Sequence, residues 1–120
     1  MKTKIIKPYD LETRTTSFAE EIVQLCKKAS KNHITIPIIS QLIRAGTSIG
    51  ANYSEATGAS SKRDFTNKVF VCKKEAIETK YWLRLLAKAE VSVADDCRKL
   101  WREAQELTLI FSKIAGKSRK

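Results

Sequence analysis

Apolar side chains recur along this chain at alternating spacings of three and four residues, the period of a helix that buries one side. The longest such segment runs from Ser61 to about Ala89. At about 1.5 Å per residue this helix would be roughly 45 Å long, and a helix of that length needs neighbours to cover its stripe. The stripe consists of Phe65, Val69, Cys72, Ala76, Thr79, Leu83 and Leu86.

Helix start and stop signals divide the rest of the chain. Ser61 and Asp64 have the S-x-x-D spacing of a capping box at the start of the long helix, and Ser92 and Asp95 repeat it before the last helix. Gly116 predicts the end of that last helix. Short links between amphipathic helices predict an all-α fold, an antiparallel up-down-up-down four-helix bundle. The predicted helices cover residues 11–32, 36–58, 60–90 and 92–115.

The bundle accounts for residues 11–116 and leaves a short basic segment at each end. Pro8 argues against a helix within residues 1–10, so we expect an extended basic arm there and a basic tail at residues 117–120. No apolar run reaches about 18 residues, which predicts that no segment spans a membrane. The apolar stretch near Met1 is too short for a signal peptide, which favours a cytoplasmic location.

Net charge is the compositional feature that suggests a partner. The chain has 23 Lys and Arg against 13 Asp and Glu, a formal charge of +10, and residues 60–90 contribute +4 of it. This excess favours a polyanion or an acidic protein surface as partner, whereas a solvated basic face is the plainer interpretation. Tyr81 and Trp82 lie among these cations, where they would stack on bases or pack at an interface. The candidate nucleic-acid-binding residues are Lys62, Arg63, Lys68, Lys73, Lys80, Arg84 and Lys88.

Small residues are concentrated in the second helix. Gly46 and Gly50 are four residues apart and share a face, where a neighbouring helix can approach closely. A phosphate-cradling loop is the competing interpretation. The stretch lacks both the Lys-Ser/Thr ending of a P-loop and the strand that precedes a dinucleotide-binding turn.

A row of polar residues follows the same helix. Arg44 can reach a carboxylate on the long helix, and such a pair would satisfy polar groups that the bundle buries. These residues form either an internal network that sets the register of the helices or a pocket for a ligand or partner. The predicted network consists of Arg44, Ser48, Asn52, Glu55, Glu75 and Glu78.

The residue types in this sequence give little support for a catalytic site or a metal site. His33, the single histidine, lies in a polar turn, so neither a Ser-His-Asp or Cys-His arrangement nor a pair of Glu-x-x-His motifs can be built. Cys26, Cys72 and Cys97 have no C-x-x-C spacing and lie on or beside apolar stripes, where we expect reduced core residues. We therefore expect a protein that is not an enzyme and holds no metal or cofactor.

Three stretches of the sequence together resemble a known family. They read LIRAGTSIGANYSEA at residues 42–56, SKRDF at residues 61–65 and KEAIETKYWLRLL at residues 74–86. They are similar to the four-helix bundle family encoded in intervening sequences of bacterial large-subunit rRNA genes. The family's commoner SNIAEG reads ANYSEA here, which keeps Asn52 and Glu55 and places Ala56 where the family usually has Gly.

The resemblance implies a left-handed antiparallel bundle that assembles as a ring, expected to be a homopentamer, in a family without established enzymatic activity. A related branch, the accessory variability protein of diversity-generating retroelements, is a basic pentameric barrel that binds nucleic acid and its reverse transcriptase. By this analogy we expect an oligomer that binds the backbone of RNA or DNA through a basic surface, within a ribonucleoprotein or reverse-transcriptase complex. A structural module that binds an acidic protein partner, without nucleic acid, is the alternative.

Overall fold

The computed structural model describes the backbone of residues 8–118 and the side chains of residues 11–117. Within that range the chain forms helices and turns and no strand. Four helices joined by short links confirm the predicted all-α bundle. The elements are α1 (Pro8–Lys28), α2 (Thr35–Thr57), α3 (Lys62–Ala89), a 3-10 turn (Val91–Val93) and α4 (Ala94–Ser118).

Neighbouring helices run antiparallel, as predicted. Arg44 precedes Glu55 along α2, but their partners on α3 come in the opposite order: Arg44 pairs with Glu75, and Glu55 pairs with Lys68. Only antiparallel helices bring residues together in reversed order. The handedness of the bundle and its assembly into a ring stay predictions.

The α1–α4 edge shows the same reversal with less packing. Arg14, early in α1, pairs with Glu103, whereas Lys28, at the end of α1, pairs with Asp96 near the start of α4. These two helices form the sparsest side of the bundle, while α3 packs extensively against both α2 and α4. The molecule measures 45 × 35 × 19 Å, so it is wider than it is thick, with α3 as its central helix.

The buried interior consists of the predicted stripes. All the predicted positions of α3 from Val69 to Leu86 are buried, and Phe65 is partly buried. Tyr53 of α2 and Phe111 of α4 meet across the bundle, with ring centroids 5.9 Å apart. Removal of this apolar surface from water is the main stabilising contribution to the fold. No helix between residues 8 and 118 is long and apolar enough to cross a lipid bilayer.

The two glycines of α2 allow α1 to approach closely, as predicted. A Cβ added to Gly46 would lie 2.9 Å from Ile22 Cγ1, and one added to Gly50 would lie 3.2 Å from Thr15 Oγ1. Carbon atoms in favourable contact are about 3.5–4.0 Å apart, so a larger residue at Gly46 would push α1 away. Both glycines lie inside a regular helix, which rules out a phosphate-cradling loop.

The start of α3 is confirmed and the start of α1 is corrected. Ser61 caps α3, with its hydroxyl accepting the Asp64 backbone N–H at 3.0 Å. The extended arm predicted for residues 1–10 is wrong at residues 8–10, because α1 begins at Pro8. Proline fits the first position of a helix, where its missing N–H needs no partner. Residues 1–7 lie outside the described residues.

Both ends of α4 differ from the prediction. Ser92 lies in the 3-10 turn and donates its hydroxyl to the Glu90 carboxylate, so the second predicted capping box does not form and α4 begins at Ala94. Gly116 has no positive φ and α4 continues to Ser118, so this glycine does not end the helix. The last two residues of the predicted basic tail lie outside the described part of the chain.

Candidate nucleic-acid interface

Part of the predicted polar network forms around Arg44, where α2 meets α3. Arg44 Nη1 donates to Glu75 Oε1 at 3.3 Å, and its Nη2 donates to Glu78. Its Nε donates to Gln41 Oε1 at 3.1 Å, and Trp82 Nε1 donates to Glu78 Oε2 at 2.9 Å. Glu75 is buried, whereas 45% of the Arg44 side chain is exposed. The guanidinium therefore covers a buried carboxylate from the solvent side and links α2 to α3.

The remaining predicted members do not join this cluster. Ser48 Oγ donates to the Arg44 carbonyl at 2.6 Å, and Asn52 Nδ2 donates to the Ser48 carbonyl at 2.8 Å, so both bond within α2. Glu55 accepts from Lys68 Nζ at 2.5 Å, farther along the α2–α3 contact. Every buried side-chain nitrogen and oxygen between residues 11 and 117 has a hydrogen-bond partner. These contacts favour internal packing over a ligand pocket at this place.

The seven predicted cations of α3 divide into two groups. Lys68 pairs with Glu55, and Lys80 Nζ donates to Gln105 Oε1 at 2.5 Å while lying 5.3 Å from the centroid of the Trp101 ring. The side chains of the other five form no hydrogen bond or ion pair with any residue in the described range. These five, which we call the free cations of α3, are Lys62, Arg63, Lys73, Arg84 and Lys88.

The two aromatic residues among these cations have different surroundings. Trp82 is partly buried and its N–H is bonded to Glu78, so it packs within the molecule. Tyr81 is 55% exposed and touches Trp82 edge-on, with centroids 4.9 Å apart. Of this pair, Tyr81 is the ring that an outside partner could contact, and its stacking on bases stays a prediction.

An ion pair that was not predicted joins α1 to α4. Arg14 binds Glu103 with both ends of its guanidinium fork, Nε to Oε2 at 2.6 Å and Nη2 to Oε1 at 2.8 Å. The hydrogen bond to Glu103 raises the pKa of Arg14. The position of Arg14 in the sequence could have indicated this pair. Arg14 lies three residues after Leu11 and four before Phe18, beside the buried stripe of α1.

Three residues of α4 were also missed, because residues 92–115 carry no net charge. The two sides of this helix nevertheless carry different charged residues. Asp96 and Glu103 face α1, where Lys28 and Arg14 neutralise them. The opposite side faces α3 and lines a groove of about 480 Å³ there. The missed residues on that side are Arg98, Trp101 and Arg102.

The described residues form neither a reactive thiol site nor a metal site. Cys26, Cys72 and Cys97 are buried free thiols, as predicted. Burial raises the pKa of Cys26 and Cys97 to about 11 and that of Cys72 to about 12, so thiolate is scarce near neutral pH. His33 is exposed in the α1–α2 link. Among residues 8–118, no group of three His, Cys, Asp or Glu side chains could hold a metal ion.

A family assignment follows from the length of chain that one family model covers. The model of the 23S rRNA-intervening sequence protein family matches residues 9–113, from the first turn of α1 into α4. This chain belongs to that family. The resemblance found in the three sequence stretches is thereby confirmed.

A solved structure supports the same family assignment. It is the crystal structure of a protein of unknown function from the S23 ribosomal protein family of Bacteroides thetaiotaomicron. The two chains are 32% identical, the alignment covers 92% of this chain and 99% of that one, and the TM-score is 0.79. No curated protein matches the sequence significantly.

The structure shows which helices are contacted by residues 42–56, one of the three stretches that resemble the family. Gly46 and Gly50 face α1, and Arg44 faces α3. Ala56, where the family usually has Gly, is buried at the end of α2, so this position accommodates a methyl group. The stretch specifies how three helices pack, and the charged surface is supplied by other residues.

Proposed function

We propose that this protein is a non-enzymatic bundle that assembles as a homopentameric ring and binds the backbone of RNA or DNA through the free cations of α3. The observation that carries the proposal is that five predicted cations of one helix have no acidic partner in the described range. Four of the five are exposed and Lys73 is half-buried. Cations without an internal partner keep their full attraction for an external anion.

Phosphate is the anion that such a surface suits best. The free cations are spread along α3 from Lys62 at its first position to Lys88 in its last turn. A spread of that length matches a repeating phosphate backbone better than a single small anion, and backbone contacts require no base preference. In a ring, identical surfaces would act together, so weak contacts on each subunit would sum to useful avidity.

An acidic protein partner is the second candidate, and one observation favours it. Ile77 and Tyr81 are 46% and 55% exposed on the outward side of α3, among its cations. Exposed aliphatic and aromatic side chains mixed with cations are a composition found at protein–protein interfaces. A pull-down that returns one protein and is unaffected by nuclease would support this candidate over the first.

Filter binding at several salt concentrations tests the first proposal. We expect retention of RNA or DNA at low salt, with affinity falling as salt rises because bound counterions are released. The double variant Arg63→Gln/Lys88→Gln should lower the slope of log affinity against log salt by about 2, since each phosphate contact contributes about 0.9. Lys68→Gln is the matched control, because Lys68 is already paired with Glu55, and it should leave the slope unchanged.

No retention of either nucleic acid at low salt would reject the proposal. A loss of slope in Lys68→Gln that is half of the loss in the double variant, and so equal for each charge removed, would show that net charge alone drives binding. Light scattering on the same samples reports the assembly, and a mass of one 13.6 kDa chain at micromolar concentration would remove the ring.

A further inference from the structure

The groove between α3 and α4 combines an aromatic ring with several cations. Its apolar base is formed by Leu83, Ala87 and Cys97. Trp101, partly buried, lies beside them, and Arg84 comes from the α3 wall. The α4 wall adds Arg98 and Arg102, so three arginines and one tryptophan line the same groove. Its volume of about 480 Å³ lies within the range of about 300–1,000 Å³ that small-ligand sites occupy.

The positive charge of this groove is not neutralised by its own lining. Among residues 11–117, no acidic residue lines it. Asp95 bonds the Arg98 guanidinium at 2.9 Å, and both side chains are exposed, so that pair is weak. Arg84 and Arg102 have no ion-pair partner in the part of the chain that the structure describes. Lys80, which donates to Gln105, lies over one face of the Trp101 ring and adds a cation beside the groove.

We propose that this groove binds one nucleotide unit of a single-stranded nucleic acid, with its base stacked against Trp101 and its phosphate held between Arg84 and Arg102. Indole rings and guanidinium planes both stack on unpaired bases, and guanidinium forks bind phosphate oxygens with two parallel hydrogen bonds. Bases in a duplex are already stacked on one another and cannot enter the groove. This inference rests on the proposed function and adds to it a preference for single strands, which the free cations of α3 alone would not give.

The test compares single-stranded and duplex probes on the full chain. The probes are an oligouridylate of about 12 nucleotides, within the range that single-strand sites cover, and an RNA duplex of equal charge. We expect Trp101→Leu and Arg102→Gln each to weaken oligouridylate binding about tenfold while changing duplex binding less than about twofold. Lys99→Gln is the matched control, since Lys99 is exposed on the side of α4 that faces α1, and it should leave the preference for single strands unchanged.

Intrinsic fluorescence gives a second readout that does not depend on affinity. A base stacked on Trp101 should quench tryptophan emission in the parent and in Trp82→Phe, but not in Trp101→Phe, which keeps an aromatic ring in the groove. Circular dichroism confirms that each variant is folded before binding is measured. If Trp101→Leu does not fold, Arg102→Gln and the quenching comparison decide the outcome.

The outcomes separate this inference from the proposed function. A parent that binds neither probe overturns both. A parent that binds both probes, with no effect of Trp101→Leu or Arg102→Gln and no quenching from Trp101, keeps the proposed function and overturns the groove. Polyglutamate that binds with the same dependence on Trp101 and Arg102, and more tightly than oligouridylate, would assign the groove to an acidic peptide and overturn the nucleotide proposal.

Discussion

On the side of α3 that faces α2, cations pair with carboxylates, whereas on the side that faces α4 no cation of α3 pairs with a carboxylate in the described range. Toward α2, Arg44 covers the buried Glu75, and Lys68 bonds Glu55. Toward α4, Arg84 and Arg102 line an open groove without an acidic residue in its lining. Both surfaces belong to the same helix and both carry several cations, so the number of charges does not distinguish them.

Whether a cation of α3 is paired therefore depends on which side chains the neighbouring helix places beside it. α2 presents Arg44 to the buried Glu75 and Glu55 to Lys68, so the charges of this contact join the two helices. α4 turns Asp96 and Glu103 toward α1, and its groove wall toward α3 contains Arg98 and Arg102. Trp101 lines the groove beside α3. We call the α2 side of α3, where charges pair between helices, the closed side, and the α4 side, where the groove lies, the open side.

The largest expected effect is at the α1–α2 contact, which positions α2 beside α3. Gly46→Val should lower the free energy of unfolding by about 2–3 kcal/mol, because even a Cβ there would lie 2.9 Å from Ile22 Cγ1. Gly116→Ala is the matched control: nothing lies within 4 Å of its Cβ, so it should raise stability by about 0.5–1 kcal/mol. Urea unfolding measures both. Equal stability of Gly46→Val and the parent would show that the α1–α2 contact is not close.

A smaller loss is expected when the pairing of charges on the closed side is broken. Arg44→Ala should lower the free energy of unfolding by about 2 kcal/mol, since it leaves Glu75 buried without a cation. The exposure of Arg44 keeps the loss below the value for a fully buried pair. Lys28→Ala, which breaks an exposed pair with Asp96, should change stability by less than about 1 kcal/mol. Thermal melts that coincide for Arg44→Ala and the parent would mean that the network does not stabilise the protein.

The smallest expected effect is a difference in alkylation rate between Cys72 on the closed side and Cys97 on the open side. Cys72 lies at the closed α2–α3 contact, where its Sγ approaches the Ile49 carbonyl at 3.5 Å, and Cys97 lies at the base of the open groove. Burial raises the pKa of Cys72 to about 12 and that of Cys97 to about 11. Because the thiolate is the reactive form and Cys97 lines the groove, alkylation at pH 9 should modify Cys97 faster than Cys72. Peptide mass spectrometry measures both rates, and faster modification of Cys72 would contradict the contrast between the two sides.

Local patterns predicted much of the fold because each depends on neighbours in sequence. The stripe of α3 requires only the helix period, and the cap at Ser61 requires only a hydroxyl three residues before the bonded N–H. The end of α4 was mispredicted because a glycine ends a helix only if the chain turns there, and Gly116 keeps a helical conformation. The candidate site was partly predicted: the cations of α3 were identified, but not which of them are already bonded.

By itself, the sequence determined four amphipathic helices, an excess of positive charge on α3, and two glycines placed for close helix contact. These follow from the period of the helix and from the size and charge of single side chains. The packing of the helices determines that Lys68 is bonded while Lys88 is free, and that Arg98, Trp101 and Arg102 lie together with Arg84. Such pairings join residues on different helices, and they depend on the rotation of each helix about its axis, which is set by packing throughout the bundle.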